Sequence, residues 1–463
     1  MVRRWPLGHV THSGSARSRG RSGVIRTLAI SAAAATLIFS ADLLLDDNDQ
    51  GVAAAGLPPA SYGPASYAAE LAASDRQIAL MQERVASAQD EWLPHETLAR
   101  AALSRFKLNA DPGELALAAN SIQRSNSLSP EGSGPLLTSA EIAMAQHDLK
   151  NAETFLGQFD QIVVSPGKPA LSTAVALRGD VSFYHGDMEL AESLYEEADE
   201  IIPTPGTAIR KSILARSQGQ FDEAIALIRE AARRDQLRTP RSMASYELQI
   251  GMVESARGNY EVAAQSYARA DELFPGHWLT QFYRAEAQAM IDELTPAITT
   301  FERIATQTND PQAMDAAATL HIANGDMQAA ERWSNRSAAG WRTRVEAMPM
   351  AYTAHAFESA LAFGKPEQAL DLALRNLAMR PYGEAHILVA EAFLANDRPA
   401  QARAHLLRAE QQGWRSAPLY ARLSEAEAQL GNAIASRTAR AQAEQLNPHI
   451  FSPKIGRLWF GHG

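Results

Sequence analysis

One pattern recurs about ten times along this chain: a small residue, then a glycine-centred turn, then an alanine five residues after the turn. Successive alanines are always 33, 34 or 39 residues apart. They are Ala118, Ala152, Ala191, Ala224, Ala263, Ala297, Ala330, Ala369 and Ala402, and Ser436 takes the tenth place. A period near 34 residues is typical of a solenoid in which each unit is a pair of antiparallel helices.

Composition agrees with a helical array. A chain of 463 residues is longer than one hydrophobic core normally supports. Repeat arrays avoid that limit because each unit packs only on its neighbours. Apolar residues make up 46% of the chain and aromatic residues only 7%, which favours closely packed helices and an all-α fold. The chain has no cysteine, which excludes disulfides, thiolate metal sites, cysteine nucleophiles and attachment of lipid to cysteine.

The repeat is most complete between residues 246 and 275, where Gly251, Gly258, Ala263, Tyr267 and Pro275 stand at fixed intervals. This stretch resembles a tetratricopeptide repeat. In that family a small residue lets two helices touch, a glycine turns the chain, an alanine receives the partner helix and a proline ends the second helix. The resemblance implies a right-handed superhelical solenoid of about ten hairpins over residues 95–448.

The turn and the repeat length vary between units. The turn glycines are Gly113, Gly186, Gly219, Gly258, Gly325, Gly364 and Gly431, and the other three units have His147, Asp292 and Asp397 there. Three steps are 39 residues long, and their extra residues follow Phe159, Arg234 and Ser337. We expect these inserts to lengthen the connections between hairpins, and the third is long enough to extend a helix.

The amino-terminal segments indicate export or anchoring. Residues 1–26 contain six arginines and no acid, and residues 27–45 form an apolar segment followed by aspartates. This order predicts a transmembrane or signal segment with its amino end in the cytoplasm. The alternative is a buried helix of a cytosolic protein. We expect residues 46–74 to be a flexible tether, 75–94 a capping helix and 449–463 an aromatic tail that covers the last hairpin or docks elsewhere.

These segments lead to an expected location. The chain would be a bacterial, single-pass protein of the cell membrane with its repeats outside the cytoplasm. If the apolar segment is cleaved as a signal, the repeats would be periplasmic or secreted.

The resemblance also implies which side chains line the concave surface, because the first helix of each hairpin faces it in this family. At one inward position per unit the chain has six acids, namely Glu141, Asp180, Glu286, Glu358, Glu391 and Glu425. We interpret them as an acidic row that binds a basic segment of a partner protein. The alternative is that they neutralise neighbouring arginines such as Arg375 and Arg403, or are solvated helix surface.

No catalytic motif stands out in the sequence. There is no HExxH, phosphate-binding glycine loop, GxSxG or calcium loop, and the histidines lack metal-binding spacing. We therefore expect no catalytic residues, no cofactor and no metal. The net charge of −10 argues against nucleic acid as a partner, since phosphate contacts need clustered lysine and arginine.

The sequence thus favours a non-enzymatic protein-interaction scaffold that binds its partner in the concave groove. Two alternatives stay open. One is an accessory protein or weak enzyme that acts on an envelope carbohydrate, and the other is a structural spacer of a membrane complex. The oligomeric state is not determined by the sequence.

Overall fold

The computed structural model describes residues 56–452, and within that range every regular element is an α-helix. In chain order the helices are α1 (Tyr67–Ser87), α2 (Trp92–Asn109), α3 (Pro112–Leu128), α4 (Leu136–Ala145), α5 (Leu149–Phe159), α6 (Lys168–Tyr184), α7 (Met188–Ile201), α8 (Pro205–Ser217), α9 (Phe221–Arg234), α10 (Pro240–Ala256), α11 (Tyr260–Leu273), α12 (Trp278–Met290), α13 (Leu294–Thr308), α14 (Pro311–Ala323), α15 (Met327–Ala347), α16 (Pro349–Phe363), α17 (Pro366–Met379), α18 (Gly383–Ala395), α19 (Pro399–Gln411), α20 (Ala417–Gln429) and α21 (Ala433–Leu446).

After α1, the described helices form ten hairpins. Each hairpin pairs an even-numbered first helix with the odd-numbered second helix that follows it, from α2 and α3 to α20 and α21. First helices also contact the first helices of adjacent hairpins, as α16 does with α18 and α18 with α20. They therefore lie on the inside of the curve. The prediction of an all-α solenoid of about ten hairpins is confirmed.

The repeated alanines are the points at which the two helices of a hairpin meet. All nine are at most 3% exposed. The small residue of the first helix has the same role from the other side: a Cβ added to Gly251 would lie 2.6 Å from Cδ1 of Tyr267. Gly179 faces Tyr195 in the same way. Small side chains at these positions are what lets the helices pack so closely.

The turns inside the hairpins have one residue in the left-handed region. Gly186, Gly219, Gly258, Gly325 and Gly431 have φ between +75° and +86°. The three units without glycine still use this conformation, with φ of 60° at His147, 77° at Asp292 and 55° at Asp397. A residue with a Cβ adopts it at a cost of roughly 1–2 kcal/mol, so hairpin packing overrides the local preference.

One of the seven glycines predicted to form the turns, Gly113, does not lie in its turn. Gly113 lies within the first turn of α3, which begins at Pro112, and Ala110 takes the left-handed conformation instead, with φ of 52°. The second helix of this hairpin begins one turn earlier relative to its repeated alanine, which moves the turn. Gly364 lies in its turn directly after α16, with φ of −100°. An added Cβ would lie 2.8 Å from the Ala360 carbonyl oxygen, so this turn needs glycine for space and not for a left-handed backbone.

The amino-terminal boundaries differ from the expected ones. The capping helix spans Tyr67–Ser87 instead of residues 75–94, and the first hairpin begins at Trp92. Ser66 caps α1 by accepting a hydrogen bond from the Ala69 N–H, which explains the earlier start. The end of the expected tether, residues 67–74, is thus helical.

The two terminal segments lie partly outside the described residues. The predicted membrane or signal segment at 27–45 and the tail beyond Ser452 are not among them. At the start of the tail, Ile450 and Phe451 pack against the apolar core. Within residues 56–452, the helices are all too short or too polar to cross a membrane.

The three inserts have different structures. After Phe159 the chain forms a loop in which Val163 and Val164 are exposed. The insert after Arg234 forms the loop before α10, and its Arg238 carbonyl accepts a hydrogen bond from the Ser61 N–H at 2.9 Å. The insert after Ser337 continues α15 to Ala347, so this helix has 21 residues, and the predicted helix extension is confirmed.

The solenoid stacks on itself. We call the side formed by the turns inside the hairpins the turn edge, and the side formed by the loops between hairpins the link edge. A Cβ on Gly186 of hairpin three would lie 2.8 Å from the Pro381 carbonyl oxygen, which belongs to the link before hairpin nine. The Arg415 N–H, in the link before hairpin ten, donates to the Ser217 carbonyl of hairpin four at 2.8 Å.

The same contact continues at the last hairpin. The Asn447 side chain, after α21, donates to the Ala256 carbonyl at 3.3 Å and to the Tyr260 hydroxyl at 3.2 Å, at the turn of hairpin five. The turn edge of hairpins three to five is therefore covered by the link edge of hairpins eight to ten.

Candidate functional site

The inner helices are enclosed on most of their surface. Eleven of the thirteen residues of α18 are buried, whereas its partner α19 buries only Ala402, Leu406 and Ala409. Residues 351–360 of α16 are buried without interruption. A helix that is buried on all sides cannot line an open groove. Stacking of the superhelical turns thus encloses much of the inner surface. The sequence pattern did not indicate this enclosure.

The predicted acidic row is not an exposed stripe. Asp180, Glu286, Glu358 and Glu391 are each at most 5% exposed, and Glu141 is half-buried. The interpretation of these side chains as an accessible surface is therefore wrong for four of the six, because the inner helices pack within the solenoid. Partner binding by this row stays a prediction.

Asp180 is part of a buried ion pair. Its carboxylate accepts two hydrogen bonds from Nε and Nη2 of Arg210, the shortest at 2.8 Å, and a third from the Tyr195 hydroxyl at 3.0 Å. Bidentate geometry and the extra donor satisfy the carboxylate where water is excluded. Burial together with the adjacent Asp180 charge raises the pKa of Tyr195, so its hydroxyl stays protonated and donates.

Glu391, in the ninth of the ten hairpins, has an equivalent partner in the tenth. Nε of Arg422 donates to Glu391 at 2.9 Å, and Nη1 of the same arginine donates to Glu425 at 3.0 Å. Burial raises the pKa of Glu391, while the nearby arginine opposes that rise. Glu425 is more exposed than Glu391, with 32% of its side chain accessible.

The arginines that pair with the row are not the expected ones. Arg375 lies 3.8 Å from Asp371, and Arg403 lies 2.6 Å from Glu427. The true partners follow their carboxylates by 30 residues at Asp180 and 31 at Glu391, which is almost one repeat. That spacing places the arginine on the next inner helix beside the carboxylate, and it is the sequence signal that could have identified both pairs.

A cavity of about 120 Å³ lies where the first hairpins meet the sixth to eighth. Its polar lining includes Lys107, His147, Arg344, Tyr352 and His355. Burial lowers the pKa of Lys107 to about 8, although Glu141 opposes that decrease. Sequence analysis did not identify this cavity, because its walls come from hairpins that are far apart in the chain. Among the described residues there is no cluster of side chains suited to hold a metal ion.

One part of the turn edge is open. Added Cβ atoms on Gly325 and Gly431, in the turns of hairpins seven and ten, would meet no other atom of residues 56–452 within 4 Å. Large apolar side chains flank both turns: Ile322 is 44% exposed, Met327 62%, Leu430 37% and Ile434 77%. We call residues 322–327 and 430–434 the free turn edge.

Comparison with known proteins identifies the repeat. A tetratricopeptide repeat family model matches residues 209–276, 248–314 and 356–418. No curated protein matches the chain. These three matches cover parts of hairpins four to ten, in which the alanines and turns have the spacing described above.

Several solved structures are similar at low identity. A monomeric IFIT1 mutant with Gppp-AAAA is 12% identical, with a TM-score of 0.39, over 80% of this chain and 95% of that one. A tetratricopeptide repeat protein from Parabacteroides merdae is 14% identical, with a TM-score of 0.33, over 57% of this chain and 96% of that one. A chain of the APC/C hetero-tetramer Cut9–Hcn1 is 11% identical, with a TM-score of 0.32, over 82% of this chain and 95% of that one. The ten hairpins and the three matches to the family model show that this chain contains tetratricopeptide repeats.

Proposed function

We propose that this chain is a non-enzymatic protein-interaction scaffold, displayed outside the cytoplasm, whose protein partner binds the free turn edge. The observation that carries this proposal is the contrast between turns of the same kind. The turns of hairpins three to five are covered by the following superhelical turn, whereas those of hairpins seven and ten are open in the part of the chain that the structure describes. Repeat arrays of this kind present extended surfaces to other molecules.

The composition of the free turn edge supports binding of a protein. Ile322 and Met327 flank one turn, and Leu430 and Ile434 flank another. Exposed apolar side chains that occur singly need no explanation, but a pair of them beside each of two open turns supports an interaction site there. The net charge of −10 would favour a partner with a basic segment, mainly through the rate of encounter.

The inner groove is a weaker candidate for the partner. A bound segment would have to separate the stacked turns, because residues of α16 and α18 are enclosed. The array would then lose the contacts that join hairpins three to five to hairpins eight to ten. Binding at the edge requires no such opening.

Site-specific photocrosslinking in intact cells tests the surface. We would place the photoreactive residue at Met327, and at Leu190 as the control, since Leu190 is 47% exposed on the outer helix α7. We expect one protein to crosslink from position 327 and not from position 190. Ile322→Asp in the same turn should remove that crosslink. Crosslinks from position 190 alone, or a partner that survives Ile322→Asp, would contradict the proposal.

The location is tested separately. Since the chain has no cysteine, Met327→Cys introduces a single thiol at an exposed position. A maleimide that cannot cross membranes should label this thiol on cells whose inner membrane is intact. Labelling only after the cells are lysed would place the repeats in the cytoplasm.

A further inference from the structure

We propose that residues 453–463 dock on the turns of hairpins six and seven and so cover part of the free turn edge. These residues follow directly after the described part of the chain, which ends at Ser452. Their docking would regulate access to the partner site, and that consequence rests on the function proposed above. The docking itself does not depend on a partner.

The stacked contact advances by one hairpin at a time toward the carboxyl end. The link before hairpin nine lies on the turn of hairpin three, and the link before hairpin ten lies on hairpin four. Asn447, after hairpin ten, lies at the turn of hairpin five. The next turn in this order is that of hairpin six, at residues 291–293. The residues that follow Asn447 are therefore the ones in position to cover it.

The last described residues already approach hairpin six. Ile450 packs against the apolar cluster that joins Tyr260 of hairpin five to Phe282 of hairpin six. Phe451 is still beside α21, where the guanidinium carbon of Arg440 lies 4.0 Å from the centre of its ring. The described chain thus ends between hairpin ten and hairpin six.

The segment is long enough to reach both turns. Eleven extended residues span at most about 36 Å. Helices in contact lie about 8–10 Å apart, so one repeat of two helices advances the array by about 16–20 Å. The turn of hairpin seven is one repeat beyond hairpin six, and residues 453–463 can therefore pass over both.

The two turns present apolar side chains that suit the segment. Ile291 and Leu294 are half-buried beside the turn of hairpin six. At the turn of hairpin seven, Ile322 is 44% exposed and Met327 62%. The segment contributes four large apolar side chains of its own, at Ile455, Leu458, Trp459 and Phe460. Contact between these two sets removes both from water, which favours docking.

The charges of the segment and of the two turns are complementary. Lys454 and Arg457 are the charged residues of the segment, which contains no acid. The turns expose three acids, Asp292, Glu293 and Asp326, and residues 288–300 and 320–330 contain no lysine or arginine. Opposite charges steer two surfaces together and fix how they align.

The outer helix of the last hairpin is a less suitable surface. α21 buries only Ala439 and Ala443, and it exposes Arg437 and Arg440. The one acid of α21, Glu444, already pairs with Arg440 at 3.0 Å. The two cations of the segment would face like charges there, which is unfavourable. Charge therefore selects hairpins six and seven over a cap on hairpin ten.

Cysteine crosslinking in the full-length chain tests the docking. The natural chain has no cysteine, so Gly461→Cys with Gln328→Cys places one thiol in the segment and one at the exposed start of α15. Gly461→Cys with Thr438→Cys, on the exposed face of α21, is the matched control. We expect a short bis-maleimide to join the first pair within one chain and not the second. A crosslink to position 438 instead of 328, or to neither position, would overturn the proposal.

A charge swap tests the cause of the docking. Lys454→Glu with Arg457→Glu places acids opposite the acids of the two turns, so the crosslink between positions 461 and 328 should fall several-fold. Adding Glu293→Lys and Asp292→Asn to that variant should restore part of the crosslink, which an unfolded protein would not do. An unchanged crosslink in the first variant, or no recovery in the second, would overturn the proposal.

The same variant tests the regulation. A segment that competes with the partner should, once its charges are reversed, allow several-fold more photocrosslinking of the partner from position 327. An unchanged yield would overturn the regulatory role. If no partner crosslinks from position 327 while positions 461 and 328 still crosslink, the proposed function fails and the docking stands.

Discussion

The backbone N–H of Arg415 donates a hydrogen bond to the carbonyl of Ser217 at 2.8 Å, although the two residues are 198 positions apart. This bond joins the end of α8 to the link before α20, and it lies between the contacts at Gly186 and Asn447. Three successive hairpins are thus covered by three later ones. The contact closes part of the turn edge, whereas the turns at Gly325 and Gly431 have no neighbour within 4 Å among the described residues.

Gly186→Ala tests the stacked contact. The substitution places a Cβ 2.8 Å from the Pro381 carbonyl and also against the Gln412 side chain. It also strains a residue with φ of +80°. We expect a loss of about 2–4 kcal/mol in the free energy of unfolding, from the left-handed conformation and the overpacking together. Urea denaturation measures it.

Gly325→Ala is the matched control for that prediction. Its φ of +84° is nearly the same, but the added Cβ meets nothing within 4 Å. We expect a loss of only about 1–2 kcal/mol, from the backbone strain alone. Equal losses in the two variants would show that the turn of hairpin three is not covered.

Asp180→Asn tests the buried ion pair of the inner surface. The variant leaves the Arg210 guanidinium buried without its carboxylate, so we expect a loss of about 3–5 kcal/mol in the free energy of unfolding. Glu192→Gln, at an exposed position on α7, should change it by less than about 0.5 kcal/mol. Denaturation of the two variants under the same conditions measures both changes in the free energy of unfolding. A loss at Asp180 as small as at Glu192 would mean that the carboxylate is solvated and the groove is open.

Asp315→Asn should alter the pH dependence of stability. Burial raises the pKa of Asp315 to about 7, although Trp341 and Ser359 donate to its carboxylate. The folded chain therefore binds this proton more tightly than the unfolded chain, whose aspartates have an ordinary pKa near 3.9. The stabilisation from Asp315 is complete below about pH 4 and is lost as the pH rises through 7.

Comparison of the Asp315→Asn variant with the unaltered protein isolates the effect of the Asp315 carboxyl group. Asparagine resembles the protonated acid, so the variant should lack the decline between about pH 4 and 7. Histidines with lowered pKa, such as His277 and His355, act in the opposite direction but are present in both proteins. Melting temperatures measured across this range should diverge as the pH rises. Parallel curves would show that Asp315 has an ordinary pKa.

Tyr67→Ala tests whether the amino-terminal helix belongs to the folded unit. The Tyr67 ring packs edge-on against Phe274 with the centroids 6.4 Å apart, and its N–H donates to the Pro275 carbonyl. We expect the free energy of unfolding to fall by about 2 kcal/mol, since the side chain is only partly buried. Tyr62→Ala, at a position that is 74% exposed, should have almost no effect. Equal, small effects of the two substitutions would show that residues 56–87 do not belong to the folded unit.

The parts of the fold that depend on neighbouring residues were predictable from the sequence. The spacing from Ala118 to Ser436 predicts ten hairpins, because each alanine is buried by the helix directly before it. The turns at His147, Asp292 and Asp397 were also found, since the repeat period fixes them even without glycine. These features involve contacts within one repeat.

The stacking of the superhelical turns was not predictable in the same way. Whether Gly186 reaches Pro381 depends on small rotations between hairpins that add up over five repeats, and the sequence pattern does not encode those angles directly. The burial of Glu358 and Glu391 follows from that stacking, so it was missed as well.

Cysteine crosslinking across the stacked turns tests the central claim most directly. The natural chain has no cysteine, so His185→Cys with Gln411→Cys gives one pair at exposed positions beside the touching residues Gly186 and Gln412. His185→Cys with Met327→Cys is the control pair. A closed array predicts that a short bis-maleimide joins the first pair within one chain and not the second. Absence of a crosslink between positions 185 and 411 would show that the array is open, and it would return the partner site to the inner groove.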